Sequence, residues 1–234
     1  KVAGVLDSIS PRTRPIVLPG PRVRDKLAAG VPLLHAEEVY VDGGAVRETW
    51  DRLLAVLAET SGRQVDVAAV RAALAGHRLH AEHATVEALV SHPEHAREIA
   101  LMADAPVDLV LMLADLAARP VLAAYARQLA QALRLAAWER GYCPICGAWP
   151  VRAERSADGL VIRLHCGRCI TDWPADATTC PFCQAAGAVS ARVPPAGRDL
   201  TVPALEAGEE QEHVVASQLL YEHIWWQKGK APDE

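Results

Sequence analysis

The sequence predicts an α+β protein: an N-terminal all-α domain, a small β module bracketed by cysteines, and a C-terminal helical tail. Three observations carry that prediction. Apolar residues recur at helical spacing from Val46 onward, the pattern switches at Gly141 to short alternating segments between C-x2-C pairs, and helical spacing returns over 208–227. The expected division is an irregular segment 1–44, a helical domain 45–140, a metal-binding module 141–190 and a loop-plus-helix tail 191–234.

The elements follow in order. Pro11, Pro15, Pro19, Pro21 and Pro32 punctuate the first segment, which is expected to wrap over a surface rather than build a core. Trp50, Leu53, Leu54 and Leu57 then fall at i, i+3, i+4 and i+7, the apolar stripe of an amphipathic helix. Further helices are expected near 65–75, 82–91, 94–104 and 107–118. Pro93, Pro106 and Pro120 stand at or near first turns, where a missing N–H costs nothing. A last long helix, with Leu122, Tyr125, Leu129 and Leu133 on one face, should run to Arg140 and stop at Gly141. Beyond it, 150–166 reads as two strands around a turn at Ser156–Gly159, with Leu160, Ile162 and Leu164 sharing a face. Residues 190–210 read as loop, and 208–227 as a helix striped by Ala216, Leu219, Leu220 and Ile224.

Composition sets the bounds. A chain of 234 residues, 51% hydrophobic and 23% charged, can bury a core without disulfide staples. The net charge of -5 argues against a dedicated nucleic-acid binder, which relies on uncompensated Lys and Arg. No apolar run approaches the roughly 20 residues that span a bilayer. The segment 1–26 has basic residues but no continuous apolar stretch, so no secretory signal is read there. A cytoplasmic setting with reduced thiols is therefore expected.

Six cysteines form three pairs, Cys143/Cys146, Cys166/Cys169 and Cys180/Cys183. Nineteen residues separate the first two pairs, which bracket the expected hairpin at the spacing of a zinc ribbon. A C-x2-C turn aims two sulfurs at one ion while backbone N–H groups bond the thiolates, and Gly147 permits the backbone angle that such a knuckle needs. Four thiolates suit Zn²⁺ or rubredoxin-like iron, and residue identity does not choose between them. Four buried free thiols in matched pairs around a hairpin would be a poor competitor. A thioredoxin-like dithiol at Cys143 and Cys146 would need a strand-to-helix junction in a βαβ unit. Here a helix precedes and a hairpin follows.

Other candidates carry less. His77, His80 and His83, with two more histidines in "SHPEH", have polar neighbours and read as a solvated helix face. A helical di-iron site wants two Glu-x-x-His motifs, and only Glu210 to His213 fits, outside the bundle. There is no glycine-rich phosphate loop, no G-x-S-x-G and no H-E-x-x-H, and no catalytic residue is assigned. Between Cys143 and Cys183, Arg152, Arg155, Arg163 and Arg168 are balanced by Glu154, Asp158, Asp172 and Asp176.

The helical region feeding "CPICGAWPVRA" and "GLVIRLHCGRCITDWPADATTCPFC" resembles the formate dehydrogenase accessory (FdhE-type) proteins. Their pattern C-P-x-C-G-x-x-P-V, then L-H-C-x-x-C-x-T-[ED]-W and a third C-x2-C, is met from Cys143 to Cys183. The likeness extends from about residue 31 to 183 and then fails. The family carries a second rubredoxin-like module with a fourth cysteine pair, and no cysteine follows Cys183 here. The resemblance implies a cytoplasmic maturation factor, not an enzyme, that binds the catalytic subunit of a molybdenum- or tungsten-dependent formate dehydrogenase. Trp149 and Trp173 flank the knuckles, either as anchors for that partner or as packing for the ribbon's own core. An iron-carrying redox protein and a zinc-ribbon nucleic-acid module are the competing classes.

The resemblance makes Cys180 and Cys183 the start of an incomplete second site. His213 and His223 are the obvious further ligands, with Asp199 a third. In one helix, ten residues separate the two histidines by roughly 15 Å. Ligands at about 2.0–2.3 Å from one ion do not span that distance. About one tightly bound metal per chain is expected, with Cys180 and Cys183 reduced, weakly metallated or able to form a reversible disulfide. Elemental analysis with thiol counting checks it, and two metals per chain with no reactive thiol would contradict it.

Overall fold

The computed structural model describes residues 1–89, 93–135, 137–155, 161–176 and 181–182, with the backbone of three short strands at 190–191, 205–207 and 211–213. The chain forms two compact units. Lys1–Val17 and Ala36–Leu129 make the first, and Leu18–His35 and Ala130–Glu234 the second.

The first unit is helical: α1 (Val2–Ser8), α3 (Gly43–Thr60), α4 (Gln64–Ala75), α5 (Ala81–Leu89), α6 (Pro93–Met102) and α7 (Val107–Leu129). The expected stripe holds in α3, where Trp50, Leu53 and Leu54 are buried. They pack with Val67 and Val70 of α4 and with Leu109 and Leu113 of α7. Alanines at the remaining contacts, such as Ala73, Ala84, Ala100 and Ala114, let the helices approach closely. The indole of Trp50 keeps its polar handle satisfied by donating from Nε1 to Thr85 Oγ1 at 3.1 Å inside that core.

Asp42 caps α3. Its carboxylate accepts from the N–H groups of Gly44 and Ala45, and from the N–H and Nε of Arg12 at 3.1 and 3.0 Å. The bonds from Arg12 hold its pKa at about 2. One buried carboxylate thus joins the N-terminal segment to the first large helix.

The second unit holds α2 (Gly20–Ala28), a 3₁₀ turn (Ala132–Leu135) packed against it, and two sheets. In the first sheet, β1 (Pro150–Arg155), β2 (Val161–Cys166) and β3 (Asp172–Asp176) run antiparallel in that order. Ile162, Leu164 and Trp173 share its buried face, with Leu164 opposite Trp173 in the ladder. The second sheet pairs β4 (Ser190–Ala191), β5 (Leu205–Ala207) and β6 (Gln211–His213).

Several expectations need correction. The segment 1–44 is not wholly irregular, because α1 and α2 lie within it. Pro19 and Gly20 open α2, with Pro21 in its first turn, where proline's fixed φ suits a helix. Pro120 does not start a helix. It lies inside α7, and the helix ends at Leu129 rather than Arg140. Interior proline costs about 3 kcal/mol. Burial of Ala117, Ala118, Val121 and Leu122 around it offsets that cost. Leu133 belongs to the 3₁₀ turn, where the chain has passed into the second unit.

The tail also differs. The expected helix over 208–227 lies mostly outside the described residues, and its described part, Gln211–His213, is a strand paired with β5. Three residues containing Gly208 separate those strands, which is hairpin spacing. Leu160 and the Ser156–Gly159 turn lie outside the described residues.

Asp42→Ala is expected to destabilise the helical unit by about 1 kcal/mol, the usual worth of an N-cap. A carboxylate with a lowered pKa contributes stability above its unfolded value near 4 and loses it as pH falls towards about 2. Denaturant melts of both proteins at pH 7 and pH 2.5 check this: the gap between them should narrow in acid.

Candidate metal centre

The two ends of the β1–β2 hairpin bring the cysteines together. Cys143 and Cys146 precede β1, Cys166 ends β2, and Cys169 lies in the turn before β3. Pro150 pairs with Cys166 in the ladder, so the sheet register itself sets the two knuckles beside each other.

Cys143 Sγ lies 3.4 Å from Cys169 Sγ, and Cys146 Sγ 3.5 Å from Cys166 Sγ. All four ligand atoms fall within 4.8 Å of one another. A tetrahedral ion with metal–sulfur bonds of about 2.3 Å needs sulfurs roughly 3.8 Å apart. These separations bracket that value. The closest are far longer than the S–S bond of about 2.05 Å in a disulfide, and all four thiols are free. Among the described residues this is the only cluster of three or more ligand-type side chains so arranged. The donor set therefore fits one tetrahedral, thiophilic ion.

Both knuckles close in the same way. Cys143 N–H donates to the Ala148 carbonyl at 2.8 Å, and Cys166 N–H to the Thr171 carbonyl at 2.9 Å. Arg168 N–H and Cys169 N–H each donate to Cys166 Sγ at 3.4 Å, and the Thr171 hydroxyl sits 3.0 Å from Cys169 Sγ. Such donors favour thiolate over thiol. The sulfurs divide accordingly: burial pushes the Cys143 thiol up, while hydrogen bonds from Cys143 and Cys146 hold Cys166 and Cys169 down. A divalent cation takes the place of the protons that such a cluster otherwise needs.

A shell of backbone fixes the first knuckle. Leu33 and Leu34 N–H groups donate to the carbonyls of Pro144 and Ile145 at 2.8 and 2.9 Å. Lys26 Nζ in turn holds the carbonyls of Leu33 and His35 at 2.8 and 2.6 Å, and the Tyr142 hydroxyl donates to Gly30 at 2.6 Å. Gly147 stands at φ +79 with Pro32 packed over it. At Gly141 a Cβ would sit 1.7 Å from the Pro181 carbonyl oxygen, so only glycine admits that close approach.

The structure separates the two tryptophans. Trp173 is buried in the sheet core and donates from Nε1 to the Arg140 carbonyl at 3.3 Å, which is the packing role. Trp149 is half-buried, edge-on to Tyr142 at 5.7 Å and stacked on Phe182 at 5.3 Å. Cys180 and Cys183 lie outside the described residues. So do His223, Asp199 and the side chain of His213. His83 and His95 flank Glu87 at 3.7 and 3.1 Å on exposed helix surface, as expected of solvated histidines.

Sequence reasoning missed three contributors. The segment 30–35 reads as loop, and its one hint is the apolar "VPLL". Thr171 stands in the C-x-x-C-x-T pattern, but spacing gives no sign of its contact with Cys169 Sγ. The third strand, β3, contains Pro174, which argues against an interior strand and is tolerated because β3 lies at the edge of the sheet.

Fold and site together define the class: a helical protein carrying a four-cysteine β module of the zinc-ribbon or rubredoxin-like kind. No sequence family and no curated protein matches the chain. It has an FdhE-type fold. It is similar to the crystal structure of the FdhE protein from Pseudomonas aeruginosa, with a TM-score of 0.52 and 20% identity over 88% of this chain and 70% of that one.

Cys143→Ser or Cys166→Ser is expected to abolish tight metal binding and expose 141–176 to protease, leaving α3 to α7 folded. Acid should act like the substitutions, because thiolates take up protons and metal retention falls as pH falls. Metal analysis and limited proteolysis read both effects, and retained metal with unchanged cleavage would refute the assignment.

Proposed function

We propose that the protein is a non-catalytic accessory factor in the maturation of a cytoplasmic formate dehydrogenase. One coincidence carries the reading: the four cysteines of the FdhE-type motif converge within an FdhE-type fold.

The metal supplies charge neutralisation and cross-linking when bound. Among the described residues, the module's own large buried side chains are few: Ile145, Ile162, Leu164 and Trp173. Each contributes roughly 1.5–3 kcal/mol, whereas ordering costs about 1.5 kcal/mol per residue. A structural ion contributes about 10–16 kcal/mol of apparent folding free energy. With the ion in place, Lys26, Leu33, Leu34 and Tyr142 hold the first knuckle. The half-buried ring of Trp149 is then presented from a rigid frame to the catalytic subunit.

The charge distribution favours a protein partner over nucleic acid. Arg152 pairs with Glu154, and over the three strands Arg152, Arg155 and Arg163 are matched in number by Glu154, Asp172 and Asp176. Among the described residues, no helix is long and apolar enough to cross a membrane.

The same donor set also takes iron, and the N–H and hydroxyl donors to sulfur would then tune its potential. The absorption spectrum of protein purified without reductant separates the two, because ferric thiolate sites are coloured and zinc sites are not.

Co-purification from a strain carrying a formate dehydrogenase should recover its catalytic subunit, more strongly before that subunit has matured. Trp149→Ala should weaken recovery at least tenfold if this ring is a hot spot. Recovery of nucleic acid or ribosomal proteins, with no oxidoreductase subunit, would contradict the proposal.

A further inference from the structure

Gly147 and Ile170 occupy the same place in the two halves of the centre. Each follows the second cysteine of its pair, and each lies in the left-handed region, at φ +79 and +63. The ring closures match as well, at 2.8 Å from Cys143 to Ala148 and 2.9 Å from Cys166 to Thr171. The residues do not match. Glycine takes this conformation at no steric cost, whereas a β-branched residue there is an outlier held only by its surroundings. Burial does not offset the strain, since Ile170 is 69% exposed.

The support of the two halves differs in kind. The first knuckle is braced by the N–H groups of Leu33 and Leu34. The second is held by the sheet, with Cys166 opposite Pro150 and Gly167 against Val151. The bonds to Cys166 Sγ come from Arg168 and Cys169, within the second knuckle itself, and persist only while it stays closed.

We infer that the two halves of the centre are unequal: Cys166 and Cys169 form the half through which metal enters and leaves, and Ile170 sets its lability. This rests on the metal centre proposed above. Strain at Ile170 is held while four sulfurs converge on one ion, and is relieved when Cys166 and Cys169 let go. Cys143 and Cys146 remain as a braced two-sulfur half-site. Slower zinc transfer once that strain is removed is therefore diagnostic.

The experiment uses the full chain loaded with Zn²⁺ and challenged with a colorimetric zinc chelator, while released thiols are trapped by alkylation and located by mass spectrometry. Cys166 and Cys169 should be alkylated before Cys143 and Cys146. Ile170→Gly should lengthen the half-time of zinc transfer about fivefold, with Ile170→Ala between the two. Simultaneous or reversed alkylation, or an unchanged or shorter half-time in Ile170→Gly, would overturn the inference while leaving the metal centre standing. A wild-type chain that takes up no zinc would overturn the centre itself.

Discussion

Four sulfurs held within 4.8 Å of one another are the constraint on which the second unit depends. Thiolates so close repel, and thiols so buried waste their acidity, so the arrangement is favourable only with a cation among them. Everything nearby serves that convergence. The β1–β2 ladder sets Pro150 opposite Cys166 and so fixes the distance between knuckles. Two left-handed residues turn the chain behind Cys146 and Cys169. Backbone donors from Arg168 and Cys169 point inward at sulfur.

The chain also returns to its own metal module from far upstream in sequence. Residues 30–35 meet the first knuckle through two main-chain bonds, and Lys26 secures that segment in turn. Main-chain bonding of this kind tolerates side-chain variation. An aromatic series, Trp138, Tyr142, Trp149 and Phe182, also joins the module, with ring centroids 5.3 to 5.7 Å apart. The dipeptide Pro181–Phe182 is thereby tied to the first knuckle, through Gly141 and Trp149. The helical unit is built on a different principle. Its stability comes from Trp50 and its leucine and alanine neighbours, and needs no ion.

Much of this was legible in the sequence because the signals were periodic or paired. The stripe from Val46 to Leu57 located α3, and the C-x2-C spacing located the four converging cysteines and the hairpin between them. What was not legible depended on tertiary context. Pro120 carries a local helix-start signal, yet burial on both sides of it keeps α7 continuous. Pro174 speaks against a strand, yet an edge position spares it the lost donor. Pro19 and Pro21 read as breakers and instead open α2. The partners of Leu33 and Leu34 lie more than a hundred residues away, and no local pattern announces a main-chain contact at that range. Ile170 is the reverse case: the residue type predicts extended backbone, and the knuckle imposes φ +63.

One metal ion is expected to hold the β module together while the helical unit stands alone. Amide hydrogen exchange before and after removal of metal by a strong chelator tests it most directly. The N–H groups of Leu33, Leu34, Cys143 and Cys166, each bonded within the module, are expected to lose protection on chelation, while those of α3 and α7 keep theirs. Equal protection of the module with and without metal, or loss of protection spreading through both units together, would contradict the account.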